Sequence, residues 1–179
     1  MDIYFVVLFF HISGAFILFM GMSLEWVGVT KLNRSVKLEQ ALEWTNFLST
    51  YKSAFIIGGV LLLITGIYMA SAKWGWAPWM MVSFLLWLFL VIQGSVFTGG
   101  KITTLRKFLN SSTDIKSSDL NSHIIKLKLL NLLQSRLTVG FGAIFIMTVK
   151  PDLAGSLIVV LIAFILGLAP FLSKQKSAA

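Results

Sequence analysis

The stretch FFHISGAFILFMGMSLEW, residues 9–26, decides the fold class. It is apolar or small almost throughout, yet it carries an imidazole, His11, and a carboxylate, Glu25. With its flanks the run extends from about residue 4 to residue 30. At about 1.5 Å of rise per residue, a helix of that length crosses a hydrocarbon core of about 30 Å. The run lacks the basic start, short apolar centre and small-residue cleavage site of a signal peptide, so it reads as a retained helix.

Four further apolar runs lie near residues 53–72, 78–99, 129–149 and 153–172. Hydrophobic residues make up 57% of the 179 and charged residues only 12%, a balance far from that of a soluble domain. The expectation is a single all-α domain over residues 1–179, a polytopic transmembrane helix bundle of five spans. Its inner connections fall at about 31–52 and 100–128. Cysteine is absent, which removes disulfides, thiolate metal sites and thiol nucleophiles.

The net charge of +8 sorts by side. Lys31, Arg34, Lys37 and Lys52 lie between spans one and two; Lys101, Arg106, Lys107, Lys116, Lys126 and Lys128 lie between spans three and four; Lys174 and Lys176 follow span five. Only Lys73 and Lys150 sit in the two remaining connections. The positive-inside rule therefore predicts an outside N-terminus and a cytoplasmic C-terminus, a multi-pass protein of a bacterial cytoplasmic membrane. The basic loops read as solvated charge attracted to anionic lipid at the cytoplasmic face, and no nucleic-acid partner is expected. Trp74, Trp76 and Trp79 crowd the outer turn KWGWAPW, residues 73–79, while Trp26 and Trp44 mark the inner side. Gly75 and Pro78 break the helix in that turn and make spans two and three an antiparallel hairpin.

The inner segment KLNRSVKLEQALEWTNFLSTYK, residues 31–52, spaces Leu38, Ala41, Leu42, Thr45 and Leu48 about one helical turn apart. It suits either a short amphipathic helix on the inner leaflet or an inward extension of span two. The Ser, Asp and Asn cluster between Asn110 and Ser122 reads as loop, with Asp119 or Asn121 as a cap for span four.

Inside the apolar runs a few polar residues stand out. Gly14, Gly21 and Gly28 recur every seven residues, drifting only about 20° per step, so they form a helix-packing seam on one face of span one. Glu25, Gln93 and Arg136 fall at similar depths, roughly 9–12 Å from the inner boundary by residue count. They are expected to form a buried polar cluster in which Arg136 pairs with Glu25 and Gln93 completes the bonding. That cluster serves either helix register or a proton, ion or anion.

His11 lies roughly 13 Å from the outer boundary, level with Thr65 and Tyr68. It is either a neutral imidazole bonded to a hydroxyl or a ligand of metal or haem b, which makes it the candidate ligand- or cofactor-binding residue. The other histidine, His123, is predicted about a membrane thickness away, so a second iron ligand would come from Met20, Met22 or another chain. Lys150 and Asp152 read as a charged helix terminus or as guards of a polar mouth. No nucleophile with its base, paired metalloprotease histidines or phosphate-cradling loop is present, and the sequence points away from an enzyme.

HISGA (11–15), LEW (42–44), LLITGIYM (62–69), WGWAPW (74–79) and MTVKP (147–151) together resemble an uncharacterised family of bacterial predicted integral membrane proteins of unknown function. More remotely, a first-helix histidine followed by small residues is similar to copper-resistance D-type proteins and J-type protoporphyrinogen oxidases. That resemblance implies metal or haem chemistry at His11. Two function classes follow: an intramembrane polar site handling haem, a metal, a small ligand or protons, or a structural or accessory subunit of a homo-oligomer or membrane complex.

Overall fold

The computed structural model describes the backbone of residues 2–111 and 117–173, with side chains except at positions 51, 52, 54, 117–119, 121 and 170–173. Among the described residues the fold is all helix. In chain order come α1 (Ile3–Asn33), α2 (Leu38–Met69), α3 (Pro78–Ile92), α4 (Gly99–Ser111), α5 (Ser117–Lys126), α6 (Leu129–Val149) and α7 (Leu153–Ser173). Two π-helical segments, Ala70–Trp74 and Gln93–Thr98, continue α2 and join α3 to α4.

Four helical stretches among the described residues are long and apolar enough to cross a membrane: Ile3–Asn33, Leu38–Trp74, Pro78–Ser111 and Ser122–Val149. The fifth expected span is the helix Leu153–Ser173, whose described apolar part runs to Ala169. Large apolar side chains such as Phe5, Phe16, Phe141 and Leu161 point outward from these helices. A hydrocarbon surrounding accounts for that exposure, where water would penalise it.

The glycine seam sets how closely α1 and α2 pack. Gly14, Gly21 and Gly28 are all buried. A Cβ added at Gly58 of α2 would lie 2.9 Å from the Leu18 backbone nitrogen and 3.0 Å from the Gly14 carbonyl oxygen. The two backbones touch, and dispersion contacts between them replace the hydrophobic driving force that lipid cannot supply.

At the basic end the structure departs from the loops read in the sequence. Residues 38–52 are a helical extension of the second apolar run, so Leu38–Trp74 is one rod of 37 residues. At about 1.5 Å per residue it is about 55 Å long, well beyond a hydrocarbon core. The segment around 100–128, expected as loop, is largely the helices α4 and α5. Leu32, Leu48, Ile102, Leu105, Leu109 and Ile124 bury one another there, which gives these basic segments an apolar core to fold around. Positions 119 and 121 lie inside α5, and α6 follows a left-handed turn at Lys128 (φ 50°). Lys116, Lys174 and Lys176 lie outside the described residues.

At the other end, Gly75 adopts φ 62° and Pro78 opens α3, so the chain reverses within a few residues. Asp152 accepts a hydrogen bond from the Gly155 backbone N–H (2.8 Å) and caps α7.

Candidate functional site

Glu25 and Arg136 meet. The Arg136 guanidinium donates from Nη1 to Glu25 Oε2 (2.9 Å) and from Nη2 to Oε1 (3.1 Å), a bidentate pair between α1 and α6. The arginine side chain is 2% exposed and the glutamate 16%. Charge-assisted, two-pronged geometry of this kind is what offsets the desolvation of a buried guanidinium.

Gln93 does not complete the pair. Its Nε2 donates to Ser135 Oγ (2.6 Å), whose own proton goes to the Leu132 carbonyl (2.9 Å). The third contact on the guanidinium comes from Thr98, whose Oγ1 accepts from Arg136 Nη2 (3.0 Å) and donates to the Gln93 carbonyl (3.3 Å). Residues five apart on a regular α-helix point about 140° away from each other. The π-helical segment Gln93–Thr98 turns both inward, and both are buried. Phe55 lies with its ring 5.7 Å from the guanidinium carbon, and a Cβ at Gly94 would come within 3.0 Å of both Phe55 and Arg136 Nη1. Gly94 is therefore the gap through which the arginine reaches its partners.

Thr98, Ser135, Phe55 and Gly94 escaped the sequence reading. Their only signal was small or hydroxyl residues flanking Gln93 and Arg136. Beside the pair, a cavity of about 230 Å³ is lined by Glu25, Arg136, Ser49, Ser95, Thr103 and Arg106. Replacing Thr98 by valine keeps the shape and removes the acceptor for Nη2. We expect Thr98→Val to lower stability by about 1–3 kcal/mol, the usual cost of stranding a buried donor. Thermal unfolding in mild detergent measures it.

His11 is separate from this cluster. Its Nδ1 lies 2.8 Å from Thr65 Oγ1 on α2. The Thr65 hydroxyl already donates to the Leu61 carbonyl (2.6 Å), so it can only accept from the imidazole. That arrangement suits a neutral ring protonated at Nδ1, which would leave the lone pair on Nε2. Gly66 admits the ring, since a Cβ there would stand 3.4 Å from His11 Cε1.

His11 lines a second, larger cleft of about 540 Å³ together with Trp74, Trp76, Trp79, Trp87 and Lys150. Its walls are mostly apolar. Met20 and Met22, offered by the sequence as companion ligands, do not share this site. They stand about 13 Å and 16 Å farther along α1 by helical rise, and Met22 is instead buried beside Gly140 of α6. The methionines that line the cleft are Met69, Met80 and Met147. His123 stacks on Phe108 at 4.4 Å, on α5, and does not line the cleft. No group of three or more His, Cys, Asp or Glu side chains converges among the described residues. No protein family, curated protein or solved structure matches the chain.

Proposed function

We propose that this chain is a five-span protein of a bacterial cytoplasmic membrane, N-terminus outside, that binds a small apolar ligand in the cleft beside His11. The position of His11 in the wall of the cleft carries this reading. An imidazole whose Nδ1 faces Thr65 leaves Nε2 as the nitrogen that would ligate a metal or accept a hydrogen bond. A cleft of about 540 Å³ with apolar walls and few polar groups falls within the range of small-molecule sites.

The topology rests on the sorting of basic residues toward one end and of Trp74, Trp76 and Trp79 toward the other. In that orientation α4, α5 and the start of α2 form a cytoplasmic layer, with Lys107 and Lys126 exposed toward anionic headgroups. Haem is the sharpest version of the ligand. His11 Nε2 would supply one ligand to the iron, with Met69, Met80 or Met147 the thioethers available in the walls. The remote similarity to proteins with a first-helix histidine supports the same version.

The test is a visible spectrum and metal analysis of the protein purified in mild detergent. A Soret band or stoichiometric metal is expected in the wild type, with at least a tenfold loss in His11→Ala. A colourless, metal-free wild type sinks haem and metal. Retention of either in His11→Ala removes His11 from the site.

A further inference from the structure

Two lysines stand at the mouth of the cleft beside His11: Lys150 lines it, and Lys73 lies against Tyr4 and Trp74, which line it too. Lys150 closes α6 in the left-handed region (φ 53°), a conformation that costs a side-chain-bearing residue about 1 kcal/mol or more and that glycine would adopt freely. In that position its Nζ stands 3.7 Å from the centre of the Trp74 ring and 5.9 Å from that of Trp79. Lys73 sits 4.7 Å over the Tyr4 ring and 6.0 Å from Trp74. Both ammonium groups thus lie within 6.0 Å of the centre of one indole. Trp74 is itself fixed by donation from Nε1 to Tyr4 Oη (2.9 Å), so the platform under both cations is rigid.

Neither lysine pairs with an acid among the described residues, whose ion pair is Glu25 with Arg136 at the other end of the bundle. Asp2 and Asp152 each accept one backbone N–H bond, from Tyr4 and Gly155, as helix caps, and keep their charge without meeting either lysine. Aromatic faces attract each cation but carry no counter-charge. An acidic group bound beside Trp74 would supply one.

We infer that the ligand of the cleft is an amphipathic anion, its apolar body among the cleft tryptophans and its single acidic group held by Lys150 and Lys73. This rests on the proposed binding of an apolar ligand in the same cleft and adds the chemistry of its head. A free long-chain carboxylate and an anionic phospholipid both supply that chemistry.

Four of the six tryptophans line the cleft, which supplies the readout. Purified protein in mild detergent is titrated with bromine-labelled octadecanoic acid, with its methyl ester, and with phosphatidylglycerol bearing brominated chains, and tryptophan quenching is followed. The acid or the phospholipid is expected to half-quench the wild type at about tenfold lower concentration than the ester at low ionic strength, the ratio shrinking towards one in about 1 M salt. Whichever anion shows the preference identifies the source. Lys73→Gln with Lys150→Gln should erase it, while Lys126→Gln, at the far end of the bundle, should leave it unchanged.

Equal quenching of the wild type by acid, phospholipid and ester overturns the anionic head but leaves an apolar ligand in the cleft. A preference that survives the double lysine change also overturns it. Absence of saturable quenching by every probe overturns this inference, while the haem or metal version of the reading it rests on is decided separately by the Soret band and metal content.

Discussion

Arg136→Gln is expected to destabilise the protein by about 3–5 kcal/mol, because it leaves Glu25 charged in a low-dielectric bundle with its bidentate partner gone. Glu25→Gln should also be costly, since the arginine is the more deeply buried member and keeps its charge under all ordinary conditions. The double change Glu25→Gln with Arg136→Gln removes both charges together, and two amides at this spacing can hydrogen-bond. We therefore expect it to cost less than either single change. The measurement is a double-mutant cycle on thermal unfolding in mild detergent. Additivity within about 0.5 kcal/mol would show that the two side chains do not act as a pair.

The same cycle bears on what the pair does. It ties α1 to α6 across the bundle, while Thr98 ties α6 to the π-helical segment after α3. One guanidinium thus fixes the mutual register of three helices, which satisfies the requirement that charge within an apolar bundle be paired. A cavity of about 230 Å³ lies against it, so the pair also borders polar space.

Gly58→Leu is expected to abolish folding into the native bundle, and Gly58→Ala to cost about 1–3 kcal/mol or somewhat more. The reason is the identity of the obstructing atoms. A Cβ at Gly58 meets the Leu18 backbone nitrogen at 2.9 Å and the Gly14 carbonyl at 3.0 Å, and backbone cannot rotate aside as a side-chain tip can. The helices would have to separate along the seam, loosening the α1–α2 contact that holds His11 against Thr65. Gly100 supplies the contrast. It lies within α4 and a Cβ there meets nothing within 4 Å, so Gly100→Ala should raise stability by about 0.5–1 kcal/mol through helix propensity alone. Equal unfolding temperatures for Gly58→Ala and Gly100→Ala would contradict the close approach of α1 and α2.

By itself the sequence determined the helical bundle, the seam and the partnership of Glu25 with Arg136, because each follows from a one-dimensional regularity. Apolar runs longer than a bilayer core leave helix as the form that satisfies the backbone within each segment. Glycines seven apart must share a face. A buried guanidinium needs an acid at its own depth, and Glu25 is the acid in the apolar runs that offers one.

Only the tertiary structure decided the rest. The π-helical turn that brings Thr98 round to Arg136 depends on where one extra residue is accommodated, which helical periodicity does not encode. Gln93 was legible as a polar residue at the right depth, but its choice of Ser135 over the ion pair was set by that same turn. The helices around 100–128 were hidden by their basic surface, since their apolar face matters only once α1 and α2 stand beside it to be covered. His11 was legible as an anomaly, whereas its hydrogen-bond partner Thr65, whose hydroxyl also meets the Leu61 carbonyl, is supplied by α2. The convergence of Lys73 and Lys150 on Trp74 belongs to the same class. Lys150 is far from Trp74 in sequence and was placed against it by packing.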